Sequence, residues 1–305
     1  MTSRLLPVLA SSAVLALGLA GCSSGSSADT ADPATDGISI VASTNVYGSI
    51  AEAVAGDAAS VTSIIDSPDK DPHEYQADGQ NQLSLSKAQI VIENGGGYDD
   101  FIDTMLSAAD DSGATVLNVT DISGYDTEPA EGEFNEHLWY DFPTMQKLVD
   151  QLVTELSALD ESGASAFSAN GEKLKEQLTA LEGEEADLAS AHEGAGVAIT
   201  EPVPLYLLEA AGLENKTPDE FSEAIEEDTD VPPLVLNETL ARFDDKSVDV
   251  LVYNEQTGGP QTDAVLEAAE KNGIPAVAVT ETLPDGVDYV EWMTANLKAV
   301  SDALG

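Results

Sequence analysis

His73, His137, Glu201 and Glu281 have the side chains, and the positions where strands give way to loops, to hold a divalent cation. His73 lies in SPDKDPHEYQADGQ, a polar loop stiffened by proline, and His137 lies in FNEHLWYDFP, just ahead of a strongly helical stretch. Glu201 ends the apolar run GVAITE before Pro202, and Glu281 ends IPAVAVTE shortly before Pro284. Two imidazoles and two carboxylates from four loops can close a metal site without a thiolate. The chain has only three histidines, so substitutes are few. The third, His192, ends a long helical stretch, where an imidazole complements the helix dipole without any ligand. Trp139 and Tyr140 read as packing residues beside His137.

The elements that must position these groups alternate in period. Apolar or β-branched runs at 38–44 (ISIVAST), 61–66 (VTSIID), 88–95 (AQIVIENG) and 114–120 (ATVLNVT) read as strands. Between and after them, 46–56, 80–88, 98–110 and 143–160 have helical spacing. The same grammar restarts with strands in GVAITE, VDVLVYNE and IPAVAVTE and helices in PLYLLEAAG, TDAVLEAAEKNG and the C-terminal DYVEWMTANLKAVSDALG. Between the two runs, Phe167, Leu174, Leu178 and Leu181 recur at helical spacing in a stretch rich in Ala, Leu, Glu and Lys. Gly171 interrupts that helix at modest cost. Asn94-Gly95-Gly96-Gly97 lacks the lysine of a phosphate loop and reads as a turn that lets a helix and a strand approach closely.

This pattern predicts an α/β fold with two lobes, each a parallel sheet flanked by helices, joined by one long linking helix. The N-terminal lobe spans 38–160, the linking helix 161–192 and the C-terminal lobe 193–305. Ligands of open parallel sheets sit beyond the carboxyl ends of the strands, which puts the site in the cleft between the lobes.

The first 21 residues, with Arg4 followed by an apolar stretch from Leu5 to Ala20, read as a secretory signal too short to span a membrane. Leu19-Ala20-Gly21-Cys22 resembles the bacterial lipobox, which implies cleavage before Cys22 and lipid on its sulfur. Cys22 is the only cysteine, so no internal disulfide is available. Residues 22–37 are small, polar and interrupted by Pro and Gly, a flexible tether. Against 57 acidic residues stand 11 basic ones, a formal net charge of −46. That field repels nucleic acid and anionic lipid surfaces. Acids spread along the chain in this way read as a solvated surface suited to salty surroundings.

The phrases VASTNVYGSIAEAVAGD, DPHEYQ, IENGGGYDDFIDTML, NEHLWYDFPTM and TEPVPLYLLEAAGL resemble the solute-binding lipoproteins of zinc and manganese ABC transporters. The resemblance runs from about residue 38 to the C-terminus. It implies a protein held by a lipid anchor on the extracytoplasmic face of the cell membrane, a monomer and not an enzyme. Such a protein would take Mn²⁺ or Zn²⁺ as cargo and pass it to the membrane permease and ATPase of an ABC transporter. It places the metal ligands at His73, His137 and Glu201, with Glu281 where the family usually has aspartate and Asp285, four residues on, as its rival. The histidine-rich loop common in zinc-specific members is absent from 121–136. Two imidazoles and two carboxylates form a comparatively hard donor set, which favours manganese as cargo although zinc binds such sites at least as tightly. A metal-dependent hydrolase would need an open coordination position and a nearby general base. A surface adhesin would need an exposed aromatic or apolar patch, and 5% aromatic residues supply little of one.

Overall fold

A computed structural model describes residues 37–305 except 68–69, 71–74, 77, 109–112 and 131. The signal segment, Cys22, the tether before Gly37 and His73 lie outside the described residues.

The first lobe begins with β1 (Ile38–Thr44), an apolar strand buried along nearly its whole length. It runs directly into α1 (Asn45–Ala55), which stops at Gly56 with a φ of 55°. There follow β2 (Ala59–Ile65), α2 (Gly79–Leu85), β3 (Ile90–Glu93), α3 (Phe101–Ala108), β4 (Thr115–Asn118) and the short α4 (Val119–Ser123). The sheet is parallel, in the order β2-β1-β3-β4. Chain direction across it reverses between β1 and β3, the crevice where ligands of such sheets sit.

α5 (Phe142–Leu159) buries Met145, Leu148, Val149, Leu152 and Leu156 on one face. Its N-cap is Asp141, whose carboxylate accepts from the Thr144 backbone N–H at 3.2 Å. The long helix α6 (Ala164–His192) packs Phe167, Leu174, Leu178, Leu181 and Leu188 inward. Gly171 serves this packing: a Cβ there would stand 2.5 Å from Val153 Cγ2 on α5. The absent side chain allows close approach of α5 and α6, which offsets its modest propensity cost.

The second lobe repeats the plan with β5 (Gly196–Ile199), α7 (Leu205–Ala210), β6 (Glu214–Asn215), α8 (Asp219–Glu226), α9 (Pro233–Asp244), β7 (Val250–Asn254), α10 (Pro260–Asn272), β8 (Ala276–Val279) and α11 (Tyr289–Leu304). Its parallel sheet has the order β6-β5-β7-β8, the same winding as the first. The alternation of strand and helix periods therefore led to the right fold class, two parallel sheets flanked by helices with a long helix between them. Periodicity assigned nothing between 213 and 247, where β6, α8 and α9 lie. Their signals are local: acids at Asp219 and Glu220 after Pro218, and Pro233 opening α9 with Val235, Thr239 and Phe243 buried at four-residue spacing.

The lobes share one apolar core. Buried residues from Ile38 and Tyr47 through Trp139, Leu178 and Val252 to Trp292 and Val300 form a single cluster. Polar clasps reinforce it. The Asn45 side chain donates to the Leu283 carbonyl and accepts from the Leu283 N–H, both at 2.9 Å. The Tyr140 hydroxyl donates to the Thr280 carbonyl at 2.9 Å, and the Tyr289 hydroxyl to the Trp139 carbonyl at 2.5 Å.

Candidate metal centre

His137 is 0% exposed. It sits in the loop between α4 and α5, at the start of a single tight turn over Leu138–Tyr140. Its Nδ1 lies 2.7 Å from Asn135 Oδ1, and its backbone N–H donates to the same oxygen at 3.1 Å. Because the amide oxygen can only accept, Nδ1 carries the proton and the lone pair of the neutral ring sits on Nε2. Trp139 packs edge-on to the imidazole with ring centroids 5.1 Å apart, and Tyr98 at 6.1 Å. Both are buried, and they fix the ring plane. Tyr140 is equally buried and faces Trp292 rather than the imidazole.

The loop itself is tied to β3. Asn94, just past that strand, donates from its side chain to the Glu136 carbonyl at 3.0 Å and accepts from the Tyr47 hydroxyl. The glycine run after it is a turn of the kind its sequence suggests. Gly95 and Gly96 have φ of 73° and 68°, and the Asp99 carboxylate accepts from the Asn94 and Gly95 N–H groups at 2.7 and 2.8 Å. A Cβ on Gly96 would stand 2.5 Å from the Phe134 ring in the loop that leads to His137.

Glu201 and Glu281 come from the second lobe, just past the carboxyl ends of β5 and β8. They are 3% and 9% exposed. Asn254, the last residue of β7, joins them: its side-chain NH₂ donates to Glu201 Oε2 at 2.5 Å and to Glu281 Oε1 at 2.7 Å. One amide with two hydrogens thus holds two buried carboxylates side by side. Gln256 Oε1 accepts from the Glu281 backbone N–H at 2.6 Å, which fixes that loop. Asp285 is exposed and does not face this space.

Glu201 and Glu281 line a cavity of about 700 Å³ whose wall also includes Glu133, Glu136, Glu223 and Glu226. Glu226, which periodicity did not single out, ends α8 with its Oε1 3.3 Å from His137 Nε2. Together with Glu136, these side chains place three donor atoms within 4.8 Å of one another. Burial, then repulsion from Glu136, Glu201, Glu281 and Glu133, pushes the Glu226 carboxyl up to about 10. Burial likewise raises Glu136 to about 7. Carboxylates confined this closely, with no Lys or Arg among the described residues of the cavity wall, favour whatever cation can enter, a proton or a metal ion.

The family model for the periplasmic zinc-uptake complex component A matches residues 40–303. The chain belongs to this family. Among curated relatives, the manganese-binding lipoprotein MntA of Halalkalibacterium halodurans is 27% identical over 271 residues, covering 83% of this chain and 87% of its own. Among solved structures, the solute-binding protein FpvC of Pseudomonas aeruginosa in complex with Mn²⁺ superposes with a TM-score of 0.72 at 21% identity, over 88% of this chain and 98% of that one. A mutant of the laminin-binding adhesin Lmb of Streptococcus agalactiae gives 0.73 at 17% identity, over 88% and 100% of the two chains. At these identities the structural likeness is one of fold. As a member of the zinc-uptake component A family, this chain is a metal-binding solute-binding protein of the extracytoplasmic space.

Proposed function

We propose that this chain captures a divalent metal ion, Mn²⁺ or Zn²⁺, outside the cell and delivers it to the permease and ATPase of an ABC transporter. The metal is cargo, and the chain is not an enzyme. The observation that carries the reading is the pairing of Glu201 and Glu281 on the Asn254 amide, on the wall of an acidic cavity. Two buried carboxylates held together cost free energy unless a cation neutralises them, so the arrangement suits a dication better than any neutral solute. The ligands are His73, His137, Glu201 and Glu281. His137 Nε2 is oriented for coordination by the Asn135 contact at Nδ1, as ligating imidazoles commonly are. Glu281, buried beside Asn254, takes the fourth position in preference to the exposed Asp285. Lipid on Cys22 holds the protein at the outer face of the membrane, where it acts as a monomer.

The decisive experiment is metal analysis of protein purified without chelators, followed by calorimetric titration of the metal-stripped protein with Mn²⁺ and Zn²⁺. One equivalent of metal per chain is expected. His137→Ala and Glu201→Gln should each weaken binding at least about 100-fold while circular dichroism stays unchanged. Parent-like affinity in His137→Ala would remove the site from this cavity.

A further inference from the structure

On the metal-capture reading given above, we infer that Glu226 supplies an additional carboxylate oxygen to the ion held by His137, and that this oxygen biases the site toward manganese over zinc. Glu226 is the last residue of α8, an element that the four strand-end and loop ligands do not involve. α8 is anchored by Phe221 and Ile225, which pack with Val231, Val235 and Phe243 in a core of their own. The helix therefore holds its C-terminal carboxylate at a fixed place on the cavity wall.

Three observations carry the assignment. First, Glu226 Oε1 is 3.3 Å from His137 Nε2, the ring nitrogen opposite the one that Asn135 engages. Two donors each about 2.1 Å from one ion stand about 3.3 Å apart when they subtend an angle of about 104°, between the octahedral and tetrahedral values. Second, the Glu226 side chain is only 15% exposed, and apart from the His137 contact its buried Oε1 makes no hydrogen bond among the described residues. A buried carboxylate in that position is costly unless a cation, a proton or a metal ion, neutralises it. Third, Glu136, His137 and Glu226 each offer one donor atom within 4.8 Å of the others, so a nitrogen and two carboxylate oxygens converge on one small volume.

The consequence is selectivity. Zinc is satisfied by four donors in a tetrahedron, whereas manganese takes up to six and accepts oxygen readily. A fifth donor, particularly a carboxylate, lowers the free energy of the manganese complex more than that of zinc. Glu226 also gives the second lobe a ligand that is not at a strand end.

The test titrates the metal-stripped, otherwise unaltered chain carrying Glu226→Gln with MnCl₂ and ZnCl₂ separately. Electron paramagnetic resonance of the Mn²⁺ complex reports on the shell itself. Manganese affinity should fall at least about 10-fold and zinc affinity about 3-fold or less, with a changed Mn²⁺ spectrum. Glu223→Gln, which removes a charge from the same wall without approaching His137, is the control. An equal loss in Glu223→Gln would assign the effect to long-range charge and overturn the inference. So would parent-like manganese affinity and spectrum in Glu226→Gln, or an equal loss for both ions. Each of those outcomes leaves the capture role standing provided that His137→Ala still loses metal. Retained binding in His137→Ala would instead sink the capture reading itself.

Discussion

The two lobes wind their strands in the same order, yet they prepare their sides of the cavity differently. The third strand of each runs out at an asparagine, Asn94 just past β3 and Asn254 the last residue of β7, with the same job in a different setting. Asn94 and Asn254 each lie two residues past the last rung shared with the lobe's first strand, Ala42–Ile92 in one sheet and Ile199–Val252 in the other. Asn254 reaches sideways and clasps two carboxylates that follow directly from β5 and β8. Asn94 reaches outward and clasps the backbone of a loop that brings His137 in from well beyond β4. A strand end is a rigid platform, and a group one or two residues past it inherits that rigidity. A loop imidazole has to be built up from tethers, here Asn94, Asn135 and the Trp139 and Tyr98 rings. The same winding can thus present hard acidic donors directly and a softer imidazole indirectly.

The largest effect should come from breaking the direct platform. Asn254→Leu keeps the volume of the side chain but removes both donors, which leaves Glu201 and Glu281 to repel each other in a buried setting. Manganese affinity is expected to drop about 100-fold, and the metal-stripped protein should lose on the order of 3 kcal/mol of stability. Calorimetry and thermal melts read both quantities. Asn94→Leu should act more weakly, about 10-fold on affinity, because Asn135 and the aromatic rings still hold the imidazole. If the two variants were equal, the contrast between platform and tethered loop would be wrong.

A smaller effect separates the turns that follow these asparagines. Gly96 needs its positive φ and its missing Cβ, since alanine would meet Phe134 at 2.5 Å. Gly258, in the corresponding turn after Asn254, has open space for 4 Å around the place a Cβ would take, and no positive φ. Gly96→Ala should cost about 1–2 kcal/mol and weaken metal binding a few-fold by displacing the loop that carries His137. Gly258→Ala should change stability by no more than about 0.5 kcal/mol. Chemical denaturation of the two variants side by side distinguishes them.

This contrast also explains what could be read from the amino-acid order. Parallel strands buried on both faces are nearly continuous apolar runs, so β1, β3, β5 and β7 stand out, and strand-end acids such as Glu201 and Glu281 stand out with them. His137 was visible because histidine is scarce. Asn254 was not, since an asparagine at a strand end is an ordinary turn residue until its neighbours across the sheet are known. Glu226 was hidden for a different reason. In a chain with 57 acidic residues one more glutamate carries no signal, and α8 is a short helix after a proline, with few apolar positions to reveal its face. Gly171 looked like a blemish in a helix because its cause, Val153, lies on another helix.

An effect that vanishes at low pH tests the residue just before each asparagine, Glu93 in the first lobe and Tyr253 in the second. Glu93 is 5% exposed, and burial pushes its carboxyl up to about 7 although Asn118 donates to it at 2.8 Å. Repulsion from Asp103, Asp99 and Asp121 adds to the shift. In the unfolded chain the same group titrates near the ordinary glutamate value of about 4.3. Below that pH it is neutral in both states and costs nothing. As pH rises toward 7 the unfolded chain gives up its proton first, so folding stability declines through that window and stays lowered above it. Glu93→Gln keeps an oxygen for Asn118 and removes the titration. The variant should match the parent at pH 4 and exceed it by about 1–2 kcal/mol at pH 8, after allowance for solvent screening at the strand end. Tyr253→Phe, which alters the matching position of the second lobe, should leave the pH profile of the parent unchanged. Urea unfolding of the metal-stripped proteins at pH 4, 6 and 8 provides the comparison. A constant offset between Glu93→Gln and the parent across that range would mean that the buried carboxylate is not what makes the first lobe sensitive to pH.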